Sequence, residues 1–119
     1  MAAPNILSIT TVTGKTAVAN VTSSSASIVT NSSGSNQVYK INSLVVGNID
    51  PANTIYLTAG IVRSSVLYKF ASTIPVPANS SIVVVAKDSN FYLEEGDTLN
   101  ILANANNGIH AICSYEIIG

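Results

Sequence analysis

The sequence has no tryptophan, a single cysteine, a single histidine and very little charge. Each scarcity removes a class of protein. With Cys113 alone there is neither an intrachain disulfide nor a cysteine-based metal site, so a small domain stapled by disulfides is excluded and stability has to come from packing. Charged residues make up 9% of the chain, against about 25% in an average soluble domain. Lys15, Lys40, Arg63, Lys69 and Lys87 are scattered and nearly balanced by six acidic residues, giving a net charge of −1. No basic stripe exists to neutralise phosphates, which argues against nucleic-acid binding. The longest apolar run, Ile82 to Ala86, is far too short for a membrane-spanning helix. Met1 to Pro4 carry no basic residue and the apolar stretch after them is broken by Ser8, Thr10 and Thr11, so no targeting segment is expected.

What remains is a chain of 119 residues, 47% of them hydrophobic, whose polar surface has to be built from Ser, Thr and Asn. A free monomer normally keeps itself soluble with mixed charge. A near-neutral surface suits a subunit packed against neighbours. The length fits one domain with one core.

The apolar residues recur with a period close to two, which sets alternate side chains on opposite faces of a pleated strand. Ile55, Leu57, Ala59 and Ile61 alternate with Tyr56, Thr58 and Gly60, and the same phase recurs in Leu99, Ile101, Ala103 and Ala105. In the last segment Ile109, Ala111, Cys113, Tyr115 and Ile117 share one face and His110, Ile112, Ser114, Glu116 and Ile118 the other, with both faces expected to be covered. Gln37 to Gly47 reads as a strand with Tyr39, Ile41 and Val45 inward, and Val66 to Ala71 as one that places Val66, Tyr68 and Phe70 together after a Ser64-Ser65 turn. The β-branched run Ile82 to Ala86, set off by Pro75, Pro77 and Asn79, predicts a central strand buried on both faces. The Ser-rich stretch Asn20 to Asn36 predicts a long loop or a weak edge strand, and Asn104 to Gly108 a hairpin turn. Many short strands with turns every 8–12 residues or so define an all-β, single-domain antiparallel β-sandwich or jelly roll of about eight strands.

The residues able to carry chemistry are few. His110 and Cys113 stand three apart in a strand, which points them to opposite faces and makes a nucleophile–base pair geometrically poor. Glu94, Glu95 and Asp97, with Asp88 nearby, could offer hard oxygen ligands to calcium, but they match no EF-hand pattern and read better as a solvated turn in which Gly96 supplies an unusual backbone conformation. Tyr39, Tyr56, Tyr68, Tyr92 and Tyr115 could line a sugar-binding face, although core packing is the preferred reading. The sequons at Asn20, Asn31 and Asn79 are expected by chance in so Ser- and Asn-rich a chain. No metal, cofactor or catalytic residue is expected, and the chain is not expected to be an enzyme.

Several stretches taken in order resemble small virion structural proteins of tailed bacteriophages, including cyanobacterial phages. They are Ile9-Thr10-Thr11-Val12-Thr13-Gly14-Lys15-Thr16-Ala17, the segment Lys40 to Asp50, Ile74-Pro75-Val76-Pro77-Ala78-Asn79-Ser80-Ser81, Tyr92-Leu93-Glu94-Glu95-Gly96-Asp97 and Ser114-Tyr115-Glu116. The resemblance implies a capsid decoration or cement protein, or a tail component, located in the virion. Its partners would be the major capsid protein or other virion subunits, and it would form a homo-oligomer, a trimer or a dimer. Residues 1–13 are read as an N-terminal arm or first strand and 14–119 as the sandwich. Ile6, Leu7, Ile9 and Val12 are the candidate contact, able to add to a partner's sheet edge. The alternative function is a receptor- or glycan-binding β-module of a tail fibre or cell surface.

Overall fold

The computed structural model describes residues 11–119. Nine strands form two antiparallel sheets that pack face to face: β1 (Val12–Val21), β2 (Ala26–Thr30), β3 (Val38–Asn48), β4 (Ile55–Arg63), β5 (Val66–Val76), β6 (Ser81–Val85), β7 (Phe91–Leu93), β8 (Thr98–Ala103) and β9 (Ile109–Ile118). One sheet has the order β1-β9-β3-β6, with β7 sharing the β3 edge beside β6, and the other has the order β2-β8-β4-β5. The expected all-β sandwich is therefore the fold. A single 3-10 turn, Lys87–Ser89, is the only helical piece among the described residues, none of which forms a helix long and apolar enough to cross a membrane.

The alternation read in β4, β8 and β9 is the alternation of the core. Ile55, Leu57, Ala59, Leu99, Ile101, Ala103, Ile109, Ala111 and Cys113 are all buried between the sheets, with Ile61, Ala105 and Tyr115 packed on the margin. Ser64 and Ser65 both adopt positive φ, 53° and 64°, which matches the twist of a two-residue hairpin and joins β4 to β5 as expected.

Bulges account for two departures. In β3 the pairing with β9 runs Ile41 to Tyr115 and then Ser43 to Ser114, so Asn42 is an extra residue that reverses the phase. Beyond it Leu44 and Val46 enter the core and Val45, expected inward, faces out. In β6 the pairing skips Val84 in the same way. That strand is not central but an edge: Val85 is buried, while Val83 is 61% exposed.

Two further expectations change, and one choice between alternatives is decided. Asn104 to Gly108 is no hairpin, because β8 and β9 lie in different sheets and the loop carries the chain across the sandwich. Pro75 falls inside β5, which tolerates it as an edge strand with one unpaired side. The Ser-rich stretch holds β2, which is the short edge strand of its sheet.

Two buried asparagines tie the loops to the strand ends. Asn31 donates from Nδ2 to the carbonyls of Leu93 (2.9 Å) and Gln37 (3.0 Å) and accepts from Ser35 Oγ. Asn48 donates to Val76 and Asn53 carbonyls at 2.8 and 2.9 Å and accepts from Asp50 N–H. With its amide engaged in the interior, the Asn31 sequon is closed to modification in the fold.

Candidate interaction surface

The acidic turn between β7 and β8 is a structural ion pair rather than a solvated loop. Gly96 adopts φ 88° as its position in the turn requires, and this returns Asp97 to the sandwich, where it is 2% exposed. Arg63, at the end of β4, reaches across with Nε 2.8 Å from Asp97 Oδ1 and Nη2 2.5 Å from Oδ2, and also contacts Glu94 at 3.1 Å. Glu94 N–H donates to Asp97 Oδ2 at 2.9 Å. The hydrogen bonds from Arg63 hold the Asp97 carboxyl below its ordinary range despite its burial. Both Asp97 oxygens are thus occupied by protein donors, and Glu95 Oε1 takes the Asn36 N–H at 3.1 Å. No group of three metal-ligating side chains occurs among the described residues.

His110 faces solvent and Cys113 lies in the core at 0% exposure, on opposite sides of β9. Burial pushes the Cys113 thiol up to about 11. Native protein should therefore leave a colorimetric disulfide reagent unreacted over hours, and release one equivalent of thiol only in denaturant.

Tyr39 and Tyr115 stack on each other at the core margin, with centroids 5.8 Å apart. Tyr56, Tyr68 and Tyr92 are exposed instead of buried, and they do not converge on one platform. Tyr56 belongs to β4, Tyr68 to β5 and Tyr92 to β7. Of the candidate contact residues, Ile6, Leu7 and Ile9 lie outside the described residues, whereas Val12 is exposed at the start of β1 opposite Ile118.

Among the described residues two apolar surfaces are left over once the core is filled. The first lies across the outer face of the five-stranded sheet, where register places Val18, Ile112, Val45 and Val83 side by side on four neighbouring strands. Val18 is 74% exposed and Ile112 50% exposed, so the outer face of β9 is not covered as expected. Flanking rows are polar: Thr16, Ser114 and Ser43 on one side, and Asn20, His110, Gly47 and Ser81 on the other. One row further along, Gly14, Glu116, Lys40 and Tyr92 stand in line. A shallow depression of about 340 Å3 opens over Val18, Asn20, His110 and Ile112.

The second surface is the flank formed by β5. Val66 and Tyr68 pair with Arg63 and Ile61 and so point to the core side of their sheet, but β5 is the edge and they remain exposed. Phe70, an extra residue in the pairing with β4, reaches over to Phe91 at 5.6 Å. The sequence grouped Val66, Tyr68 and Phe70 on one side; only register shows that this side lies open. Arg63 had no signal except that a lone charge at a strand end in so uncharged a chain needs a partner.

Neither a protein-family model nor a curated protein matches the chain. Among solved structures, it is similar to a protein of the endospore appendages of Bacillus, described as a novel family of disulfide-linked pili, with TM-score 0.52 and 15% identity over 90% of this chain and 85% of that one. It also aligns to a pentameric capsid protein isolated from metagenomic phage sequences, with TM-score 0.43 and 15% identity over 84% of this chain and 59% of that one. The first likeness is one of fold.

Proposed function

We propose that this chain is a virion structural protein, in particular a capsid decoration or cement protein that stabilises a shell by contacts with the major capsid protein or other subunits. The observation that carries the reading is the pair of separate exposed apolar surfaces, one on a sheet face and one on the β5 flank, in a domain with few charged residues and a net charge of −1. A single-ligand binder needs one such surface. A subunit that holds two neighbours together needs two, and exposed apolar patches are among the surfaces that protein contacts use. The order of sequence features described above supports a virion setting, and the fold shared with a pilus-family protein is one compatible with assembly. Disulfide linkage of the kind named for that family is not a route open to Cys113 in its buried position.

We assign the shell contact to the flank, where Tyr68 and Phe70 supply the aromatic anchors that dominate interface energetics. Purified protein should co-sediment with empty capsids of its particle, and Tyr68→Ser should weaken that binding by about tenfold, the effect of losing roughly 1.4 kcal/mol. Absence of co-sedimentation, together with binding on a glycan array, would replace this reading with the receptor-binding one.

A further inference from the structure

The outer face of the five-stranded sheet is built to meet its own copy. Consider a two-fold axis that runs along the strands, in the plane of contact, between β9 and β3. It keeps each row of side chains at the same height and reverses the order of the strands, so β9 of one copy lies over β3 of the other and β1 over the β6/β7 edge. Every row then finds a suitable partner. Val18 meets Val83 and Ile112 meets Val45, closing the apolar row on itself. Ser114 meets Ser43. His110 meets Gly47, where the space beyond the backbone is open for a ring. Lys40 and Glu116, directly opposite each other within one sheet, exchange partners across the axis so that each faces the opposite charge of the second copy.

Strands reversed in order but not in direction give the aligned sheet packing that sandwiches use, with mean directions within about 30°. Four strand positions about 4.8 Å apart, the last shared by the short β6 and β7, and about eight residues long at ~3.3 Å each present a face of roughly 500 Å2, the next row, Ile118 and Val38, being already buried within the subunit. Two such faces remove about 1,000 Å2, which just meets the ~1,000 Å2 that specific association needs. A partner of different chemistry would have to supply the complement to Lys40, Glu116, His110 and the valine row by design. A second copy supplies all of it by symmetry.

We infer that the chain forms a two-fold dimer through this face, with Ile112 and Val45 at its centre and Lys40 paired to Glu116 across it. This deepens the reading given above and rests on it for its biological setting. The wild-type chain should sediment at twice its 12.3 kDa mass at micromolar concentration. Ile112→Lys should sediment as a folded monomer whose melting temperature no longer rises with protein concentration, as that of the wild-type dimer should, since the side chain is half exposed in the single subunit.

The charge rows give a stricter measurement. Lys40→Glu and Glu116→Lys should each dissociate the homodimer by setting like charges face to face. Mixing the two variant chains should restore a heterodimer, visible by native mass spectrometry, whereas a role confined to one chain would leave the mixture monomeric. A wild-type monomer at 100 µM concentrations, an Ile112→Lys dimer, a trimer, or failure of the mixed variants to pair would each overturn the inference. A monomer that still co-sediments with capsids would remove the dimer and leave the proposed function standing; a dimer that does not would do the reverse.

Discussion

Gly60→Ala is expected to cost about 3 kcal/mol, at the upper end of what overpacking a well-filled interior does. Gly60 sits in β4 where the β5 chain crosses it closely: a Cβ there would overlap the Tyr68 carbonyl oxygen and come within 2.8 Å of Lys69 Cα. Both obstacles are backbone, so no rotamer change relieves them. The strand β5 has to shift away, which disturbs the bulge at Phe70 and its contact with Phe91. Thermal denaturation should show a fall of roughly 10 °C or more for a domain of this size. Gly47→Ala, measured on protein dilute enough to be monomeric because Gly47 receives His110 in the dimer, is the matched control, since nothing in its own chain lies within 4 Å of the added carbon. Its effect should stay within about 0.5 kcal/mol. Equal stability of Gly60→Ala and wild type would mean that the two strands are not packed as described.

Asp97→Ala should cost about 2 kcal/mol, since it removes a two-pronged guanidinium contact and the acceptor for Glu94 N–H in a site closed to water on the Asp97 side. The value is held below that of a fully buried pair because the Arg63 side chain is half exposed and regains water. The same contact fixes the acid limb of stability. The folded protein holds the Asp97 carboxyl below its unfolded value, near 3.9, so the charged form stabilises the fold fully above that pH. As pH drops through the folded value the carboxyl protonates and the contribution disappears. Denaturant midpoints measured from pH 6 to pH 2 should fall through the acid range in wild type and more shallowly in Asp97→Ala. Parallel curves would show that the pair adds nothing.

How far the residues alone led depended on whether a pattern was local. Strands β4, β8 and β9 could be read because no extra residue interrupts their inward phase, even though Leu102 breaks the polar row of β8, and the Ser64-Ser65 turn because two residues suffice to make it. Strand β3 was half read: Tyr39 and Ile41 keep the expected phase, and then one extra residue, Asn42, exchanges Val45 for Leu44. No feature of Asn42 marks it as a bulge, since its place is set by the register of a strand some seventy residues away. The apolar content of β6 misled for the complementary reason. Ile82, Val83 and Val84 look like a doubly covered strand, and the sheet order alone makes them an edge. The acidic turn was visible, but its meaning lay with Arg63, 34 positions from Asp97. The interaction face is the extreme case, because its central row is drawn one residue each from β1, β9, β3 and β6 and exists only once the strands are in register.

Among the described residues six of the eight connections between strands pass from one sheet to the other, the exceptions being the tight Ser64-Ser65 hairpin and the link from β6 to β7 along the β3 edge. Few contacts can therefore form before distant parts of the polypeptide have met, and the domain belongs with slow folders that reach the native state in milliseconds to seconds. The same wiring denies any fragment a life of its own. A nick in one exposed loop, or a break after β3, would strand half of each sheet without its companion, so the subunit has to be gained or lost as a whole.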